Sequence, residues 1–163
     1  LPIKEMTPVL DCSDFTIHAS PVRHFIPNMG LRVEFTRSQK VMAYSCDTEP
    51  CEEVVRLSEN ADVLIHEATG ETPGHSSARQ AGEVAKKAGA GRLYLIHYPT
   101  GQYSSGDPIA EAGESFRGIV ALMKDFTVLK FGKRLPLSHF GRAAENGSDS
   151  RTKKAGKIYQ PEI

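Results

Sequence analysis

From Phe15 to Phe131 the chain alternates between short apolar runs and amphipathic stretches, the rhythm of an α/β domain in which helices layer on a sheet. Phe15-Thr16-Ile17-His18-Ala19 and Leu31-Arg32-Val33-Glu34-Phe35 alternate with period two, as strands with one solvated face do. Val41-Met42-Ala43-Tyr44-Ser45-Cys46 is more continuously apolar, and Ser38-Gln39 supplies the tight turn before it. Asp62-Val63-Leu64-Ile65-His66 and Arg92-Leu93-Tyr94-Leu95-Ile96-His97 are nearly all apolar inside, which suits strands covered on both faces. Between them lie helix signals. Pro50 occupies a first helical turn, with Glu52 and Glu53 where carboxylates favour a helix N-terminus. Ser77 and Gln80 have capping-box spacing, and Ala78, Ala81, Val84, Ala85 and Ala88 share a face until Gly89 stops the helix. Asp107-Pro108 opens a further helix, along which Ile109, Ala112, Phe116, Ile119, Val120 and Met123 form an apolar stripe. Phe126 to Phe131 reads as a last strand.

Composition narrows the class. The 163 residues match the ~150 of one domain. With 39% hydrophobic and 25% charged residues, the chain is not collagen-like, mucin-like or wholly disordered. Lys plus Arg equals Asp plus Glu at 20 each, so a polyanion has to be gripped locally and not by a broad basic surface. No apolar run approaches the ~20 residues of a membrane span, no signal-peptide pattern opens the chain, and no membrane partner is expected. Cys12, Cys46 and Cys51 are odd in number and lack C-x-x-C spacing, so they read as reduced thiols in a cytoplasmic protein. Residues 1–135 read as one domain. Residues 136–163 read as a loosely ordered, mildly basic tail, with Gly, Ser, Asn, Lys and Arg dominant from Gly141. Leu1 opens in a stretch with mid-domain character, which points to a longer polypeptide.

The chemistry sits where apolar strands end. Asp47 follows Cys46, His66-Glu67 ends the run that begins at Asp62, His97 ends the run from Arg92, and Pro21-Val22-Arg23 leads to His24. Titratable residues beside buried strands are disfavoured unless paired or bound to metal. In open α/β sheets such strand ends converge on one edge, where ligands bind. Singly, each signal is weak: a lone His after a strand is commonly structural, Asp47-Thr48 also fits a turn or helix cap, and His66-Glu67 fits a strand-terminal hydrogen-bonding pair. Together they suggest one cluster of imidazole and carboxylate.

Five blocks in unbroken order carry a more specific signal. Pro21-Val22-Arg23-His24 with Met29-Gly30-Leu31-Arg32, Tyr44-Ser45-Cys46-Asp47-Thr48 with Pro50-Cys51, His66-Glu67-Ala68-Thr69, His75-Ser76-Ser77 and Leu95-Ile96-His97 resemble the motifs of metallo-β-lactamase-fold hydrolases, closest to the ribonuclease Z branch. The resemblance covers the C-terminal half of that domain and implies half of an αββα sandwich. It implies a two-zinc site in which His24 ligates one metal, Asp47 bridges both and His97 ligates the other, residue types that suit zinc. It also implies phosphodiester hydrolysis, with transfer RNA 3′ processing as the most specific version.

In that frame His75 is the expected general acid towards the leaving oxygen, oriented by Glu67. His66 is expected to be structural, as a partner of Asp47 or of a ligand. His18 and His139 read as ordinary, and Tyr98, Pro99 and Tyr103 as edges of a substrate site.

The pattern departs from the family in three ways. The H-x-H-x-D-H block that supplies most metal ligands is absent, so the expected partner is a complementary N-terminal half. Leu31 to Tyr44 leaves no room for the arm with which many ribonuclease Z enzymes grip transfer RNA. Cys46 stands in the family's glycine position. These departures keep open a small phosphodiester, cyclic nucleotide or other ester as substrate, and a catalytically incomplete interaction domain as the non-enzymatic alternative. The apolar sheet of a half-fold is also open to self-pairing as a homodimer.

Overall fold

The computed structural model describes residues 4–103 and 106–131, so the expected tail and His139 lie outside the described residues. Seven strands form one sheet in chain order: β1 (Thr7–Asp11), β2 (Phe15–Val22), β3 (Asn28–Phe35), β4 (Lys40–Tyr44), β5 (Val63–Glu67), β6 (Arg92–Ile96) and β7 (Ile119–Leu122). Neighbours from β1 to β4 pair antiparallel, and those from β4 to β7 pair parallel. Parallel pairs need crossovers, here built on α1 (Glu52–Leu57), α2 (Ala78–Ala88) and α3 (Pro108–Gly113).

Residues paired across strands share a face. Val41, Ala43, Leu64, Leu93, Leu95, Val120 and Leu122 therefore point to one side, where they pack with Val54, Ala81, Val84, Ala85, Ala112 and Phe116 in a single core. The opposite face carries Ile17, Leu31, Val33, Phe35, Met42, Tyr44, Tyr94 and Ile96, all half-buried, and the three helices lie on the other side. One helical layer on one sheet is the half sandwich expected. α2 has the expected limits: Ser77 and Gln80 exchange both capping-box hydrogen bonds, and Gly89 ends the helix in the left-handed conformation. No helix among the described residues is long and apolar enough to cross a membrane.

The C-terminal region differs from expectation. α3 ends at Gly113, Ile119–Leu122 forms β7 beside β6, and Phe126 to Phe131 is irregular. The helical stripe and the strand place overlapping residues on the core, so spacing alone did not separate them. Gly118 favours the strand: a Cβ there would strike the Phe116 ring and crowd the Gly91 carbonyl as the chain enters the sheet. The sheet also gains β1, an edge strand whose register shifts between Pro8 and Leu10. Pro8 disguises it, since proline within a strand is tolerated at edges and bulges.

Candidate metal and acid–base site

The topology explains why the candidate residues meet. β2 and β4 both run antiparallel to β3, so β2 points the same way as β4, β5 and β6. The carboxyl ends of these four strands form one edge, and they lead into His24, Asp47, Glu67 and His97 respectively. His75 joins them from the loop before α2.

Ligand atoms of His24, Asp47 and His75 lie within 4.8 Å of one another, as do those of Glu67, His75 and His97. The His75 ring centroid is 4.9 Å from that of His24 and 5.6 Å from that of His97. The two triads share His75 and together contain all five predicted residues, whereas His24, Asp47 and His97 do not by themselves form such a triad among the described residues. His24 Nδ1 lies 2.7 Å from the Gly74 carbonyl oxygen, and His97 Nδ1 lies 2.9 Å from Asp47 Oδ1 and 3.0 Å from Thr69 Oγ1. With Nδ1–H given to a carbonyl, His24 keeps Nε2 for another partner, the arrangement common in metal-binding imidazoles. Imidazole and carboxylate donors at this spacing fit a divalent metal such as zinc.

Two loops reach the site through a left-handed residue: Cys46 at φ 55 and His97 at φ 51. Non-glycine residues adopt this conformation uncommonly. The family's glycine before the aspartate is thereby accounted for. Here Cys46 accepts the conformation and donates its thiol to Asn28 Oδ1 at 3.2 Å, while Asn28 Nδ2 donates to the Asp47 carbonyl at 2.9 Å.

Glu67 is fully buried, and four N–H groups converge on it. Oε1 accepts from Thr48 N at 3.2 Å, Ser76 N at 2.8 Å and His75 Nδ1 at 3.1 Å, while Oε2 accepts from Thr69 N at 2.8 Å. This contact leaves His75 Nε2 free to serve another group. The backbone donors at Thr48, Thr69 and Ser76 escaped sequence reasoning because main-chain N–H groups have no residue signature.

His66 differs from its expected placement. It shares the helix-facing side of β5 with Leu64, and its Nδ1 lies 2.7 Å from the Glu67 carbonyl oxygen. Among the described residues it makes no hydrogen bond to Asp47, and its Nε2 has no partner. Period two explains this: Glu67 faces the opposite side of the strand. Burial depresses the His66 pKa, against a smaller opposing effect of the Glu67 carbonyl and carboxylate. His18 is likewise on the helix side of β2, with a buried Nδ1 that has no partner among the described residues.

Beside His97 opens a cleft of about 690 Å³, lined by Tyr98, Thr100, Met123, Lys124, Phe126 and Thr127 among others. Tyr98 anchors its wall by donating to the Met123 carbonyl at 3.2 Å, while Met123 N donates to the Leu95 carbonyl at 2.9 Å. Phe126, one of the lining residues, is 99% exposed. Pro99 does not line the cleft, and the Tyr103 side chain lies outside the described set.

A sheet with a His–carboxylate cluster on its carboxyl edge is the arrangement expected of a metallo-β-lactamase-fold domain. The family model described as a beta-lactamase superfamily domain matches residues 2–98, more than half of the chain, and the chain belongs to that family.

Within it, the chain is ribonuclease Z-like. It is 39% identical over 97 residues to ribonuclease Z of Methanothermobacter thermautotrophicus, an alignment covering 55% of this chain and 31% of the relative. It is 33% identical over 123 residues to ribonuclease Z of Porphyromonas gingivalis, covering 71% and 39%. Among solved structures, the metallo-beta-lactamase fold protein YhfI from Bacillus subtilis aligns with TM-score 0.64 and 30% identity, covering 74% of this chain and 51% of that one. The short form of human tRNase Z aligns with TM-score 0.57 and 26% identity, covering 76% and 46%. The alignments thus span about a third of these curated relatives and about half of these structures.

Proposed function

We propose that this chain carries part of the catalytic centre of a metal-dependent phosphodiester hydrolase of the ribonuclease Z type, acting in the cytoplasm, with transfer RNA 3′ processing as its most specific form. The convergence of His24, Asp47 and His97 with the Glu67–His75 pair on one sheet edge carries this reading. His24, Asp47 and His97 would hold the metal. Zinc takes about four ligands per ion, so two ions need donors beyond these three. A complementary segment, packed on the half-buried apolar face of the sheet, would supply them. Two divalent ions, when bound, stabilise charge on phosphoryl oxygens and make water more acidic. Glu67 fixes the His75 Nδ1–H, and His75 Nε2 delivers a proton to the leaving oxygen. The cleft beside His97 receives the nucleotide next to the scissile bond, with Phe126 offering a stacking surface and Lys124 a cation.

The test is His75→Ala in the metal-loaded protein. Turnover of a substrate with an alkoxide leaving oxygen should fall about 10²–10⁴-fold. An ester with a nitrophenolate leaving group, which needs no proton, should fall far less, and bound metal should not change. Loss of metal would instead make His75 a ligand, since it lies within ligand reach of His24 and Asp47.

The β3–β4 hairpin favours a second reading, in which the same centre acts on a small phosphodiester or cyclic nucleotide. It closes between Phe35 and Lys40, which are paired in register, and so presents no arm towards a large RNA. Competition between a transfer RNA precursor and a small phosphodiester decides between the two substrates.

A further inference from the structure

Glu49 is not among the predicted site residues, yet it touches both loops that carry the clustered histidines of its side of the site. Its N–H donates to the Arg23 carbonyl at 2.8 Å, and the hydroxyl of its neighbour Thr48 accepts from Arg23 N at 3.2 Å. These two bonds hold the backbone just before His24. Its carboxylate accepts from Gly74 N at 2.9 Å, just before His75. Gly74 in turn presents the carbonyl oxygen that lies 2.7 Å from His24 Nδ1.

Gly74 needs such a hold. Its φ of +79 is a conformation L side chains rarely adopt, and a Cβ there would strike the Phe25 ring and crowd His24 Nδ1. The close approach therefore demands glycine, which leaves the carbonyl free to swing unless a neighbour fixes it. On the far side, His75 N donates to the Thr72 carbonyl at 3.0 Å. Glu49 secures the near side.

We infer that Glu49 is a positioning residue: by clamping Gly74 it makes the Gly74 carbonyl capture the Nδ1–H of His24, so that His24 Nε2 is the nitrogen offered to a metal. This rests on the reading of His24 as a ligand. The clamp acts through reach and not through charge, because its function is to accept one N–H bond at a fixed place.

Two substitutions separate those terms in the full-length protein. Glu49→Gln removes the charge and keeps an acceptor at the same reach. Glu49→Asp keeps the charge and is one methylene too short. Nitrogen-15 NMR of the metal-free protein reads the His24 tautomer, and zinc titration reads affinity. The Gln variant should retain the Nδ1–H tautomer and zinc affinity within about twofold. The Asp variant, and Glu49→Ala with it, should show mixed tautomers and about 10–100-fold weaker zinc binding, the range seen when partners of metal-ligating imidazoles are removed. An Asp variant that behaves as wild type, or a Gln variant that behaves as Ala, overturns the proposal. So does an unchanged tautomer in Ala. His24→Ala tests the underlying reading separately: unchanged zinc affinity there removes His24 as a ligand, while the His24 tautomer in the metal-free wild type and Glu49 variants still reports on the clamp.

Discussion

The site contains two His–carboxylate pairs of the same chemical type in opposite surroundings. In the Glu67–His75 pair the carboxylate is 0% exposed and the imidazole 16%. In the Asp47–His97 pair the figures are 35% and 53%. Glu67 receives three backbone N–H groups besides the imidazole, whereas Asp47 Oδ1 meets His97, which lines the open cleft. A buried carboxylate with a full set of donors cannot move without stranding them. An open one can exchange its partner for a metal ion at little loss. Under the proposed roles, the first surroundings suit an acid group held in one orientation and the second a ligand pair that can be re-partnered by a metal.

The same carboxylate-to-amide change should therefore have different consequences in the two pairs. Glu67→Gln presents an NH₂ where one of the converging N–H donors now binds. If the amide oxygen keeps the place of Oε1, the NH₂ faces Thr69 N. The expected loss is about 1–3 kcal/mol of stability, read by urea unfolding of the metal-free protein. Asp47→Asn should stay within about 0.5 kcal/mol in that assay, as surface changes usually do, while zinc titration shows a clear loss of affinity. Equal destabilisation by both changes would erase the distinction between the pairs.

This contrast also marks what could be read from sequence. Asp47, Glu67 and His97 were legible because titratable groups are out of place at the ends of apolar strands, and parallel topology gathers such ends. α2 was legible because capping box, alanine face and Gly89 agree. The environment of the Glu67–His75 pair was not, since it depends on backbone N–H groups from Thr48, Thr69 and Ser76 that any residue could supply. β7 was misassigned because Ile119 and Val120 satisfy helical and strand spacing alike, and the side of the sheet that His66 faces depends on a strand limit one residue further on.

A smaller effect sharpens the open side. Phe126 lines the cleft and is 99% exposed, so its removal should leave zinc affinity and stability unchanged. Stacking of a base on an aromatic ring is worth ~1–3 kcal/mol by alanine substitution. Phe126→Ala should accordingly raise KM for a dinucleotide about 10-fold and leave KM for methyl nitrophenyl phosphate alone, with Phe126→Tyr restoring the dinucleotide value. A uniform change across both substrates would show that the ring shapes the metal centre and does not read the nucleotide.

The smallest effect concerns the buried side, where His66 shows what enclosure does without a complete set of partners. Its Nδ1 lies against a backbone carbonyl, while Nε2 is buried with no partner among the described residues, and burial holds its pKa below the ordinary 6.5. The folded state therefore keeps the ring neutral at pH values where the unfolded chain has taken up a proton. The unfolded state binds more protons in that window, so stability rises with pH there. The contribution is present above pH 6.5 and is lost as pH falls below it towards the folded-state pKa. Urea unfolding of the metal-free protein from pH 8 down to pH 5 should show this decline in the wild type. A His66→Phe variant, which fills the same side of β5 without a titrating nitrogen, should show a flatter profile, whatever its absolute stability. Parallel profiles for the two proteins would mean that the helix-facing interior admits a proton at His66 and that burial there does not hold the ring neutral.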